Sequence, residues 1–159
     1  MRRDQLEHAI RTAWQIIGRS EVIVVGSQSI LGTFSQDELP ADATMSSSPF
    51  EELHGFSIDG VDLETSVLPA GWRDRLVKVQ NANTAPASGW PQFTGWCLDK
   101  EDLCVAKLSA LREKDQNFVA ALVRAGLVDV ATILNRLATI DARHAASAQR
   151  ALKWLRAIQ

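Results

Sequence analysis

Glu21-Val22-Ile23-Val24-Val25-Gly26-Ser27-Gln28-Ser29-Ile30-Leu31 is the stretch around which the chain is organised. Its first five residues favour a buried strand. They run into Gly-Ser and then into a helical pattern. A glycine at a strand end lets the backbone turn tightly, and a serine can cap the helix that follows. Backbone N–H groups at such a helix start can hold phosphate. The same residues also fit an ordinary strand–turn–helix junction.

Upstream, residues 4–17 read as an amphipathic helix. Leu6, Ile10, Ala13 and Ile17 recur at helical spacing, and Trp14 widens the stripe. Asp4 with Glu7 three residues on suggests a capping box, and Gly18 a helix end. Downstream, a short helix is expected over 28–34. Residues 35–49 lose periodicity and end in Ser46-Ser47-Ser48-Pro49, which reads as a loop or linker. Phe50 to His54 fits a helical turn. A hairpin is expected about Asp59-Gly60, with alternating residues on both sides. Pro69-Ala70-Gly71-Trp72 is a turn, Leu76 to Val79 a strand, 80–92 a loop and Phe93 to Leu98 a last strand.

From Asp99 the character changes. Asp99 and Asp102 mark a helix start, and Leu103, Ala106, Ala110 and Leu111 give it an apolar face ending near Glu113. Phe118 to Ala125, Val130 to Leu137 and Ala145 to Ile158 give three more helices. The expected plan is a mixed sheet with helices over 1–98 and a helical part packed on it over 99–159. The pattern is α+β or α/β, not a solenoid.

A net charge of −2 gives no global field to attract nucleic acid, though a local basic patch is compatible with it. Met1-Arg2-Arg3-Asp4-Gln5-Leu6-Glu7 turns polar where a signal peptide becomes apolar. No apolar run is long enough to cross a membrane. Cys97 and Cys104 make no disulfide framework, so the expectation is a cytoplasmic protein with reduced thiols.

Several familiar sites are excluded. Gly26 and Gly32 lack the third close glycine of a dinucleotide fingerprint, and no Lys-Ser or Lys-Thr follows to make a P-loop. His8, His54, His144 and the cysteines lack zinc-ligand spacing, and Cys104 reads as a packed small hydrophobe. Two candidates stay. Asp62 and Glu64, two apart on an expected strand, share a face; they read as the solvated face of an amphipathic strand, or, if that face meets the Gly26-Ser27 turn, as a divalent-metal pair. Lys107 sits among Val105, Ala106 and Leu108, so its stem is partly buried while its charge could meet a triphosphate. Arg112 and Lys114 also fit the basic end of a helix dipole. The five tryptophans read as core and hinge packing, with Trp90 the candidate base-stacking exception.

Val24-Val25-Gly26-Ser27-Gln28-Ser29-Ile30-Leu31 after a leading helix resembles the Gly-Ser signature of the polymerase-beta-type nucleotidyltransferase superfamily. Asp102 to Asp115 resembles the helical motif of bacterial nucleotidyltransferase-like proteins, including toxins of abortive-infection toxin–antitoxin systems. Lys107 and Asp115 match its lysine and aspartate, and Gly71-Trp72-Arg73-Asp74-Arg75-Leu76 extends the similarity. The resemblance implies an α+β nucleotidyltransferase-like fold, with Gly26 and Ser27 on an NTP triphosphate. Lys107, with Arg112 beside it, would neutralise phosphate charge, and carboxylates on the following strand would hold Mg²⁺. The implied acceptor is an RNA end or a protein hydroxyl. A rival reading is a non-catalytic module that keeps the fold and binds a protein partner, as half of a toxin–antitoxin pair, and a third is a homodimer joined through apolar surface of the C-terminal helices. One departure stands out. The family's Asp-x-Asp pair is missing where Ala43-Thr44-Met45-Ser46 passes directly into Ser47-Ser48-Pro49-Phe50. Either the segment that carries it has dropped out around 46–49, or the metal site is lost. Asp62 and Glu64 substitute for it only if their strand lies beside 21–25.

Overall fold

The computed structural model describes residues 1–44 and 66–159. The expected loop at 46–49, the helical turn at 50–54, the Asp59-Gly60 hairpin, and Asp62 and Glu64 all lie outside the described residues.

Helix α1 spans Arg3–Ile17 and leads into β1, Glu21–Val24. A 3-10 turn, Ser27–Gly32, follows, then a second at Gln36–Glu38 and the one-turn helix α2, Ala41–Thr44. Another 3-10 turn, Trp72–Arg75, precedes β2, Val77–Val79. After the turn Ala82–Thr84 comes β3, Thr94–Cys97. Four helices complete the chain: α3 (Lys100–Ala110), α4 (Glu113–Arg124), α5 (Val130–Leu137) and α6 (Ala145–Ala157). The architecture is α+β, a small mixed sheet flanked by helices.

The strand order is β1-β3-β2. β1 runs parallel to β3, with Val22 opposite Gly95 and Val24 opposite Cys97. β2 runs antiparallel to β3, with Val77 opposite Cys97 and Val79 opposite Gly95. Side chains alternate across a strand, so Val22, Val24, Gly95, Cys97, Val77 and Val79 share the inner face. α1 lies on it. A Cβ on Gly95 would stand 2.3 Å from Ile10 Cδ1, and one on Gly32 2.6 Å from the Cys97 Cβ. Both glycines are there because helix and turn approach the sheet too closely for a side chain. Glu21, Ile23, Trp96 and Lys78 share the outer face.

α3 is the centre of the helical part. Leu103, Cys104, Val105 and Leu108 are all fully buried, and the helix packs on α4, α5, α6 and the 27–32 turn. A helix apolar on most sides belongs in the middle of a fold. This corrects the single face expected from Leu103, Ala106, Ala110 and Leu111, since Ala110 is exposed and Leu111 lies past the helix end. Leu111 takes a left-handed φ of 51°, so the helix stops before Glu113 and α4 begins there.

The start of α1 also differs from expectation. Arg2 is the N-cap, its N–H donates to Gln5 Oε1, and Asp4 pairs with Arg2. Ile17 is half exposed. Glu7 is buried instead of capping. It accepts from Asn81 Nδ2 and Asn83 Nδ2, each at 2.7 Å, and from Arg3 Nε at 3.1 Å. Helix α1 is thereby tied to the 82–84 turn. Burial alone would raise the Glu7 carboxyl, but the two asparagines and Arg3 more than offset it and hold it below its ordinary 4.5.

That arrangement predicts a pH signature. A depressed carboxylate contributes stability above its unfolded value, and the contribution is lost as pH falls through the folded value. Glu7→Gln turns an NH₂ toward donors that need an acceptor, so at pH 7 it should cost about 2 kcal/mol in urea unfolding. The gap to wild type should close below about pH 4. A gap unchanged from pH 7 to pH 3 would contradict the assignment.

Candidate functional site

The parallel pairing brings two chain exits to one edge of the sheet. β1 leaves through Val25 into Gly26-Ser27. β3 leaves through Leu98, whose N–H donates to Val24 O at 3.1 Å, into the start of α3. Open α/β sheets bind ligands at such carboxyl-end edges.

Gly26 and Ser27 sit here in an unexpected form. The following segment is a six-residue 3-10 turn, and Gly26, not Ser27, is its N-cap, with no side-chain cap bond. The Gly26 φ of −78° is open to any residue, so a tight turn does not require the glycine. A Cβ there would meet only the flexible Gln28 side chain. Three residues on, the fully buried Ser29 Oγ has no hydrogen-bond partner among the described residues.

At the far end of α3 the structure brings three sequence candidates together. Lys107 Nζ lies 3.2 Å from Asp115 Oδ1, and Arg112 Nε 2.7 Å from Asp115 Oδ2. The left-handed Leu111 makes this meeting by folding α4 back on α3. The Gln116 side chain donates to the Leu111 carbonyl at 3.0 Å. Lys107 is nearly buried, at 14% exposure, and its ammonium stands 5.7 Å over the Phe118 ring. Burial lowers the Lys107 pKa, only partly opposed by Asp115. Asp115 goes the other way on balance. Burial would raise it, but Arg112 and Lys107 together hold it below its ordinary value.

A second charge cluster opens α3, and sequence reasoning missed it. Asp102 has no exposed side-chain surface. It takes a bidentate pair from Arg75, Nε to Oδ2 at 2.8 Å and Nη2 to Oδ1 at 2.9 Å, and a third bond from Arg136 Nη1 at 3.0 Å. Arg136 Nη1 also donates to Asp99, the helix N-cap. Burial pushes Asp99 up, yet Arg136 wins and lowers it. The available signal was an aspartate followed directly by Leu103-Cys104-Val105. A buried carboxylate there needs a cation from elsewhere. The two buried thiols are inert by comparison. Burial raises Cys97 to about 12 and Cys104 higher still.

Among the described residues, no group of three or more His, Cys, Asp or Glu could hold a metal ion. Their buried carboxylates already serve arginine, lysine, asparagine or backbone partners. Asp62 and Glu64 lie outside the described residues.

A family model described as a nucleotidyltransferase of unknown function (DUF6036) matches residues 4–157. The chain belongs to this family. Its match runs from the first turn of α1 to the last of α6, so the Gly26-Ser27 exit and both charge clusters fall inside it. Neither the curated proteins nor the solved structures gave a match. Among the described residues no helix is long and apolar enough to cross a membrane.

The asymmetry of the Lys107–Asp115–Arg112 cluster predicts unequal costs. Asp115→Ala strands a nearly buried ammonium and should cost about 3 kcal/mol in urea unfolding. Lys107→Met leaves Asp115 with Arg112 and restores an apolar stem, so it should cost about 1 kcal/mol or less. Equal costs would contradict that asymmetry.

Proposed function

We propose that this nucleotidyltransferase-like protein transfers a nucleotide from an NTP to an RNA or protein acceptor with Mg²⁺. We further propose that it works in the bacterial cytoplasm. The observation that carries the reading is the Gly26-Ser27 exit at the carboxyl end of β1, beside the parallel β3, in a chain of this family.

In this reading the 26–27 backbone N–H groups and the Ser27 hydroxyl would bind the triphosphate. Lys107 and Arg112 would stabilise its charge, and Asp115 would hold Lys107 in place. The acceptor oxygen would attack the α-phosphorus as the bond to the β-phosphate breaks and pyrophosphate leaves. Mg²⁺ would be held by the Asp62 and Glu64 pair that the sequence offers and would supply charge neutralisation there.

Incubation with α-labelled NTPs, Mg²⁺, bacterial RNA and protein tests the reading. Wild type should transfer label, and Ser27→Ala and Lys107→Ala should each lose at least tenfold, roughly the effect of removing one transition-state donor. Equal residual signal in all three would sink it.

Two observations favour a second reading, a catalytically inactive module that keeps the fold and binds a protein partner as half of a toxin–antitoxin-like pair. Lys107 and Arg112 already close on Asp115, and the sequence lacks an Asp-x-Asp pair after β1. Titration calorimetry separates the two. The transferase reading expects submillimolar ATP binding that disappears with EDTA, and the module expects none. A homodimer is a further option. Among the described residues the exposed large apolar side chains are Trp14, Ile16, Ile17, Trp90 and Ile158.

A further inference from the structure

The outer face of the sheet is not used by anything proposed so far. It lines an open groove of about 740 Å³, whose walls include Arg19, Glu21, Ile23, Trp96 and Arg73. A smaller hollow of about 230 Å³ adjoins it and shares Arg73, with Trp72, Asp141, Arg143 and His144. The two hollows form one track across the 72–75 turn.

Its chemistry is specific. Two half-buried indoles, Trp96 and Trp72, lie along it, each with a cation over its ring. Lys78 Nζ stands 5.9 Å from the Trp96 centroid, and the Arg73 guanidinium 4.5 Å from the Trp72 centroid. A guanidinium stacked on an indole keeps its other face open, and flat bases stack on such planes. Among the described residues Arg19, Arg73 and Lys78 make no ion pair, so their charge is not spent on carboxylates, while Arg143 pairs with Asp141 at 3.2 Å. Against Glu21 and Asp141 the walls carry Arg19, Arg73 and Arg143, and Lys78 stands beside them over Trp96. It is locally positive on a chain whose net charge is −2. Cations alternating with aromatic planes suit a ligand that alternates phosphates with bases.

We infer that this track binds single-stranded nucleic acid, with bases against Trp96 and the Arg73–Trp72 stack and phosphates on Arg19, Arg73 and Arg143. The site deepens the proposed transfer by giving it a nucleic-acid acceptor. It rests on that reading only for its biological use, since binding itself needs neither NTP nor Mg²⁺.

Fluorescence anisotropy with labelled (U)12 and (dT)12 in 50 mM salt and EDTA tests it, with tryptophan quenching read in parallel. Inorganic polyphosphate serves as an anion without bases. Wild type should bind both oligonucleotides and show quenching. Arg73→Ala and Arg143→Ala, both at exposed positions, should each weaken binding about tenfold. Each should also flatten the salt dependence by about 0.7 in log–log slope. Three results overturn the inference: no binding by folded wild type, arginine variants that bind as wild type does, or polyphosphate competing equally with no oligonucleotide quenching. Oligonucleotide binding without label transfer would remove the transferase reading and keep this site. Transfer without oligonucleotide binding would do the reverse.

Discussion

A carboxylate with no exposed surface is the constraint on which the rest of the helical part depends. Taking an ion such as the Asp102 carboxylate out of water costs several kcal/mol even after relaxation. Burial of Asp102 is tolerable only if its cations arrive with it. Arg75 comes from the turn before β2, 27 residues upstream, and Arg136 from α5, 34 residues downstream. Three segments must therefore dock together or the charge is stranded. Because Arg136 also holds Asp99, the N-cap of α3, the same contact fixes where the central helix begins. Apolar packing of Leu103, Val105 and Leu108 supplies the bulk of the stabilisation. The ionic contacts make that packing specific, since a shifted helix would lose them.

Local pattern carried much of this into the sequence. The helical period of 4–17, the β-branched run at 21–25 and the apolar spacing of 130–137 each name their element, and Gly18 closes α1 with its N–H on the Trp14 carbonyl. What was not legible is partnership across distance. Glu7 looked like a local capping residue because Asp4 precedes it by three. The structure gives it to Asn81 and Asn83, more than seventy residues away. Ala106 and Ala110 looked like core because alanine fits any helix face, and only the neighbours of α3 decide which face is inside. The site was partly legible. Lys107, Arg112 and Asp115 do come together, but through a left-handed leucine that no propensity scale proposes.

The two faces of the sheet divide the labour. The inner face is closed so tightly that Gly95 has no room for a Cβ beside Ile10. The outer face keeps Ile23, Trp96 and Lys78 beside an open groove. Cations with unspent charge therefore lie on the sheet side and along the 72–75 turn. Those of the α3–α4 junction are committed to Asp115.

That commitment does not settle the junction against a phosphate ligand. An ammonium carries three N–H donors and a guanidinium five. Asp115 takes one bond from Lys107 and two from Arg112, leaving donors on both. A triphosphate carries several negative charges where Asp115 carries one, so it can join the cluster without breaking it. The lowered Lys107 pKa points the same way. Burial is what disfavours its charge, and an anion brought alongside would raise its pKa. On the proposed function, Asp115 would hold a nearly buried lysine charged and aimed until a ligand arrives. A merely structural pair would not take up the anion, and the pKa of Lys107 would stay where burial and Asp115 have put it.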